Sequence, residues 1–137
     1  MRIMAVDYGD ARTGIAISDL LCSITGSTQV IHGRMQEKLI ASLVEIAKQN
    51  EVGEIVIGLP RNMDGSEGPR AELCRQFAAR VEETTGLPVK LWDERWTTVE
   101  AHRILNDHNY HGKKRKNTVD AVAASLILEG YLAFRER

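Results

Sequence analysis

The chain has 137 residues, a size that suits one domain able to bury a core. Its 43% hydrophobic and 27% charged residues are those of an ordinary soluble globular protein, and no run approaches the roughly 18 apolar residues of a membrane span. A net charge of −1 excludes a globally basic protein, so any affinity for nucleic acid must come from a local patch.

The N-terminus enters a strand pattern directly, with no signal-peptide architecture. Cys22 and Cys74 lie in different elements without metal-motif spacing, which predicts free thiols in a reducing cytoplasm. Ile3–Tyr8 reads as a short apolar strand ended by a glycine turn. Arg12–Ser18 is its hairpin partner, in which Ile15 and Ile17 alternate with Ala16 and Ser18. Thr28–His32 forms a third strand after a Ser/Thr/Gly loop. The connections are too short for crossover helices, so these strands predict an antiparallel meander. Met35–Asn50 carries Leu39, Leu43, Ile46 and Ala47 at helical spacing, with Ile40 and Val44 widening the stripe and Gly53 marking the exit.

Glu54–Gly58 is a β-branched strand, followed by a Leu59–Gly68 loop rich in turn residues. Ser66 is the candidate N-cap of the next helix, with Pro69 tolerated in its first turn. That helix runs to about Thr85 with Leu73, Phe77 and Val81 on one face, and Gly86 and Pro88 close it. Val89–Trp92 is a fifth strand. Thr97–Glu100 has the capping-box form and predicts a helix to about Asn106. His108–Lys116 reads as a polar loop, basic at its end and made mobile by Gly112, with Asn117 capping a last helix over Thr118–Phe134. A meander followed by β-α-β units predicts an α/β fold: a five-stranded mixed sheet with helices on both faces and the first strand central. Sites in such sheets form at the carboxyl ends of the strands, where the connections switch sides.

Three acids stand out by position. Asp7 ends the first strand, Glu94 follows the fifth, and Asp120 falls in the first turn of the last predicted helix. Parallel strands would bring Asp7 and Glu94 to one edge, and a helix packed over that edge would add Asp120. Converging carboxylates without a His or Cys cluster make an all-oxygen site, suited to Mg²⁺ or Mn²⁺. A pair of ions about 3.5–4 Å apart suits phosphodiester hydrolysis, one activating water and the other stabilising the leaving oxygen. Taken singly, each acid has a plainer role. Asp7 fits a turn, Glu94 an ion pair with Arg95, and Asp120 a helix N-terminal charge. Strand alternation points Asp93 and Glu94 to opposite faces, so one of them at most lines the site.

The segments Asp7–Ser18, Val56–Gly68, Asp93–Ala101 and Lys113–Leu128 together resemble the YqgF family of small bacterial proteins, also called RuvX-like, in family order over almost the whole chain. The resemblance implies a ribonuclease H-like fold, with Asp7, Glu94 and Asp120 as the metal-binding acids of a nuclease. It also implies a role in maturing the 5′ end of precursor 16S rRNA. The family's older designation is Holliday-junction resolvase, by analogy to RuvC. Two positions depart from the family pattern: Arg61 replaces a more usual apolar residue, and Trp96 replaces Leu.

Several cations and loop groups are placed to hold a nucleic acid. Lys113, Lys114, Arg115 and Lys116 precede the helix that bears Asp120, and would neutralise phosphates or simply be solvated. Arg61 and Asn62 follow a strand end and suit either a phosphate and sugar contact or a structural turn. Arg12 could clamp a scissile phosphate or pair with Asp10, and Arg95 sits beside Glu94 near the cap residues Thr97 and Thr98. Trp92 reads as packing, and the histidines show no ligand spacing. The expected substrate is structured RNA, with ribosomal particles as possible partners, no membrane, and a monomer or weak homodimer. Branched DNA is the alternative substrate, and a nucleic-acid-binding factor with little catalysis is the alternative class. A sugar-kinase-like phosphate loop over Asp7–Gly14 would need a second domain for which the chain has no room.

Overall fold

The computed structural model describes residues 1–94 and 112–135, with side chains from residue 119 onward in the second stretch. The helix expected over Thr97–Asn106 therefore lies outside the described residues, as do Arg95, Trp96, His102, His108 and His111. The strands are β1 (Arg2–Asp7), β2 (Arg12–Ser18), β3 (Thr25–His32), β4 (Val52–Leu59) and β5 (Val89–Asp93). The helices are α1 (Gln36–Gln49), α2 (Pro69–Thr85) and α3 (Gly112–Arg135). The sheet order is β3-β2-β1-β4-β5, so β1 is central as expected. β1, β2 and β3 form the antiparallel meander, whereas β4 and β5 run parallel to β1.

Strand alternation divides the core between two faces. Met4 and Val6 of β1 join Ile15, Ile17, Ile55 and Ile57 under α1 and α2. Ile3 and Ala5 face the other way, joining Ala16, Val56, Ala124, Ile127 and Leu128 under α3. Trp92 packs into this second core, edge-on to Tyr131 and Phe134, which is the packing role expected of it. Cys22 and Cys74 are free thiols. Among the described residues no helix is long and apolar enough to cross a membrane.

Several boundaries differ from the sequence reading. β3 begins at Thr25 rather than Thr28, because pairing with β2 holds a polar, largely exposed segment that has no apolar alternation of its own. Ser66 does not cap α2. The N-cap is Gly68, with Pro69 entering the first turn, while Ser66 is bonded within the preceding loop to Asp64 and Asn62. Leu73 is 48% exposed, and the buried stripe of α2 is Ala71, Cys74, Phe77, Ala78 and Val81. The small residues of that stripe let the helix sit close to the sheet, which leaves Leu73 on the flank.

The largest correction concerns α3. It starts at Gly112, so Lys113, Lys114, Arg115 and Lys116 occupy helix rather than loop, and Asn117 lies inside it. Asp120 is two turns into this helix, not in its first turn. Lys and Arg are good helix formers, and a run of them is as compatible with a helix as with a solvated loop.

The Phe77 ring is fully buried and stacks on Tyr8 at a centroid distance of 3.9 Å, directly after the end of β1. Phe77→Ala should therefore cost about 3–5 kcal/mol, read as a lower urea midpoint, and should loosen the Tyr8 turn.

Candidate active site

Asp7 shares its face of β1 with Ile3 and Ala5, and so lies on the side covered by α3. Its cross-strand neighbour on β2 is Gly14. A Cβ at Gly14 would overlap the backbone carbonyl of Asp120 and stand 2.7 Å from its carbon. The bare backbone at Gly14 is what lets α3 cross the sheet at the level of Asp7. Asp120 is therefore delivered by direct helix-to-strand contact.

Glu94 arrives from the other side. The pairing of Val6 with Ile57 places Gly58 beside Asp7, and Glu94 N–H donates to the Leu59 carbonyl at 3.2 Å. β4 thus runs between the two acids, with strands spaced at about 4.8 Å. A Cβ at Gly58 would overlap Glu94 Oε2 and crowd Ile127 Cδ1 at 2.7 Å. With no side chain there, Glu94 leans across β4 and its carboxyl is hydrogen bonded to that of Asp7.

Two carboxyl groups can share a hydrogen bond only if one is protonated. Burial, then the charge of Asp120, pushes Asp7 up to about 6, against opposing contributions from Arg70 and the Glu94 hydrogen bond. Burial, then the charge of Asp7, pushes Glu94 up to about 8, with Arg70 opposing and Asp93 adding to the shift. Asp120 is engaged differently: Arg12 Nε donates to its Oδ2 at 2.8 Å. Arg12 thus pairs with Asp120 rather than with Asp10. As they stand, no three acidic, His or Cys side chains among the described residues are gathered tightly enough to hold one ion.

Asp93 and Glu94 point to opposite faces, as alternation requires. Arg61 lies with Asp93 at 3.7 Å and with Glu67 at 3.5 Å, and Glu67 accepts two hydrogen bonds from Arg75 at 2.7 Å. Asn62 spends its side-chain amide on Ser66 Oγ, and its backbone N–H on the Ser66 carbonyl. Arg61 and Asn62 are thus tied into the β4–α2 loop rather than gathered with the three acids.

Arg70, in the first turn of α2, escaped the sequence reading. Its guanidinium donates to Asp10 Oδ1 at 2.8 Å and to the Tyr8 carbonyl, and lies 4.8 Å from the centre of the Tyr8 ring. It is the cation that opposes the upward shifts of both Asp7 and Glu94. Its position one residue beyond Gly-Pro, at a helix start facing strand ends, was the available signal.

The family model for RuvX, described as Holliday junction resolvase, matches residues 1–134. The chain belongs to the RuvX family. A RuvX relative from Halothermothrix orenii, named as a candidate pre-16S rRNA nuclease, is 46% identical over 137 residues, covering 100% of this chain and 98% of that protein. The fold is the ribonuclease H-like arrangement of RuvC. Thermus thermophilus RuvC in complex with a Holliday junction substrate superposes with a TM-score of 0.64 at 11% identity, over 99% of this chain and 96% of RuvC. Fowlpox virus resolvase, solved with Holliday junction DNA, superposes with a TM-score of 0.61 at 12% identity, over the whole of both chains.

The geometry of the acids sets two expectations. The raised folded-state values mean that the metal-free native protein holds protons more tightly than the unfolded chain. The resulting penalty is absent below the ordinary carboxyl range near pH 4 and grows as pH rises through about 6 and 8. Thermal unfolding in chelator should show Tm falling over that window. Asp7→Asn should flatten the profile and stabilise the protein at pH 8 by about 1–3 kcal/mol; an unchanged or lower Tm would contradict the electrostatic account. Gly58→Ala should displace Glu94 and weaken divalent-ion binding measured by calorimetry, whereas Gly68→Ala, where an added Cβ meets nothing within 4 Å, should not.

Proposed function

We propose that the chain is a divalent-metal-dependent nuclease that cleaves phosphodiester bonds in structured RNA, with the 5′ end of precursor 16S rRNA as its substrate. The observation that carries this reading is the meeting of Asp7, Glu94 and Asp120 on one face of the sheet, with raised proton affinity in the first two. Arg12 and Arg70 offset that negative charge only in part, and a cation would relieve it further. The donors are all carboxylate oxygens, which fits Mg²⁺ or Mn²⁺ better than Zn²⁺.

Asp7, Glu94 and Asp120 would hold the metal, and two ions would fit the chemistry of phosphodiester cleavage. Bound divalent ions supply charge stabilisation at the phosphoryl oxygens and lower the pKa of water. The chain's own contribution is positional. Asp7 and Glu94, whose burial raises their proton affinity, would have to be deprotonated to hold a cation, so metal affinity should rise with pH. Arg12 fixes the Asp120 carboxylate and stands at the rim where a phosphate would enter. Arg70 braces the Tyr8–Asp10 turn beside Asp7. The basic run Lys113–Lys116 and Arg95 belong to the same reading as contacts to the strand, and Arg61 and Asn62 as contacts at the loop after β4. The free thiols support a cytoplasmic location, where precursor ribosomal particles would be the partner, with the protein a monomer or weak homodimer.

The family description favours a second reading, cleavage of four-way DNA junctions. A junction resolvase needs two sites on opposed strands, and hence a two-fold dimer. The RNA reading stands first because the relative at 46% identity carries the RNA nuclease name, whereas the junction-bound structures share the fold at 11% and 12% identity.

The test is a cleavage assay in Mg²⁺ or Mn²⁺ on two substrates in parallel: an RNA spanning the 5′ end of 16S rRNA, and a synthetic four-way junction. RNA cleavage should vanish with chelator and fall at least about 100-fold in Asp7→Asn. Cleavage surviving that substitution would remove Asp7 from the site, and cleavage of the junction alone would reverse the order of substrates.

A further inference from the structure

A second feature opens at the same end of the sheet. Between the carboxyl end of β3 and the first turns of α1 lies a groove of about 390 Å³. Ile31 and Leu39 supply apolar wall, while His32, Arg34 and Lys38 are its charged or titratable lining, and among the described residues no carboxylate lines it. All three basic side chains are exposed. Among the described residues no carboxylate is paired with Arg34 or Lys38, whereas Arg12, Arg61 and Arg70 are each held by an acid.

The groove lies on the α1 side of the sheet and the acids on the α3 side, and both open at the carboxyl ends of the strands. His32 pairs with Arg12 across β2 and β3, so the two share a face, and Arg12 is the residue that holds Asp120. Gly33 N–H donates to the Ala11 carbonyl at 2.9 Å, tying the wall of the groove to the β1–β2 turn. From strand spacing and rise, the His32 backbone lies about 12 Å from that of Asp7. A polynucleotide seated at the acids and passing over the ends of β2 and β3 would bring a phosphate to this groove a few nucleotides along. The occupant is marked by what lines the space: unpaired cations at the rim for phosphate, and apolar side chains below for the sugar or base.

We propose that His32, Arg34 and Lys38 form a remote phosphate subsite that holds the substrate strand a few nucleotides from the scissile bond. This rests on the nuclease reading above, and the test separates the two. Binding of a fluorescent single-stranded RNA is followed by anisotropy in chelator across a salt series, for the parent chain and for the double variant Arg34→Ala/Lys38→Ala. Cleavage of the same RNA by the parent chain is measured separately in Mg²⁺. Both substituted side chains are exposed, and an unchanged Tm checks the fold.

The double variant should bind about 10-fold more weakly at low salt, and its log–log salt slope should be shallower by about 1.4, the value for two fewer neutralised phosphates on a single strand. A charge-preserving Arg34→Lys/Lys38→Arg variant should keep both the affinity and the slope. Unchanged affinity and slope in the alanine variant, or no RNA binding by the parent chain, would overturn the subsite. Cleavage by the parent chain together with that result would leave the nuclease reading standing. Binding that depends on Arg34 and Lys38 without any cleavage would do the reverse.

Discussion

The contact between the Asp7 and Glu94 carboxyls reaches across a whole strand, and much of the site's design follows from keeping it there. β4 runs between β1 and β5, and the acids meet only because Gly58 contributes no side chain to the space above it. The contact opposes folding, since it brings buried like charges together. It persists because the strands that carry it are fixed by cores on both faces of the sheet. Fully buried Met4, Val6, Ile55 and Ile57 lie on one face, and fully buried Ala5, Val56, Ala124 and Ile127 on the other. Burial of that apolar surface, at about 25 cal/mol per Å², can hold an unfavourable charge arrangement that no local interaction would.

Charge is sorted by face. On the α3 face, among the described residues, the carboxyls outnumber the cations that act on them, with Arg12 on Asp120 and Arg70 acting on the pair from the turn. On the α2 face, Arg61, Arg75, Glu67 and Asp93 form a mutually compensated group. Adjacent residues on one strand end, Asp93 and Glu94, therefore meet opposite electrostatic environments. Among the described residues the first forms an ion pair with Arg61, whereas the second is offset only in part, by Arg70.

Much of this was legible in the sequence because it rests on periodicity. β2 needed only its apolar alternation, α1 its 3.6-residue stripe, and the mixed sheet with a central β1 followed from connection lengths. Asp7 and Glu94 stood out by their places at strand ends, whereas Asp120 was singled out from a helix start that the structure puts two turns earlier. What was not legible depends on partners distant in sequence. The early start of β3 is set by the ladder with β2, and the early start of α3 hides behind a charge run that composition assigns equally well to a loop. The exposed Leu73 shows that spacing gives a stripe but not which side of it meets the sheet. Arg70, Gly14 and Gly58 matter only through register: a residue's absence of bulk acquires meaning once the strand beside it is known.

The central position of β1 also bears on motion. Its residues alternate between the two cores, and its backbone is paired on both sides, with β2 and with β4. Freeing such a strand requires both cores to part, so its amides belong to the last cooperative unit to exchange with solvent, near the global unfolding free energy. Glu94 follows an outer strand paired to β4, and Asp120 hangs from a helix packed over the sheet. Thermal fluctuation that reshapes the acidic cluster therefore moves Glu94 and Asp120 about a stationary Asp7, which acts as the fixed point of the site.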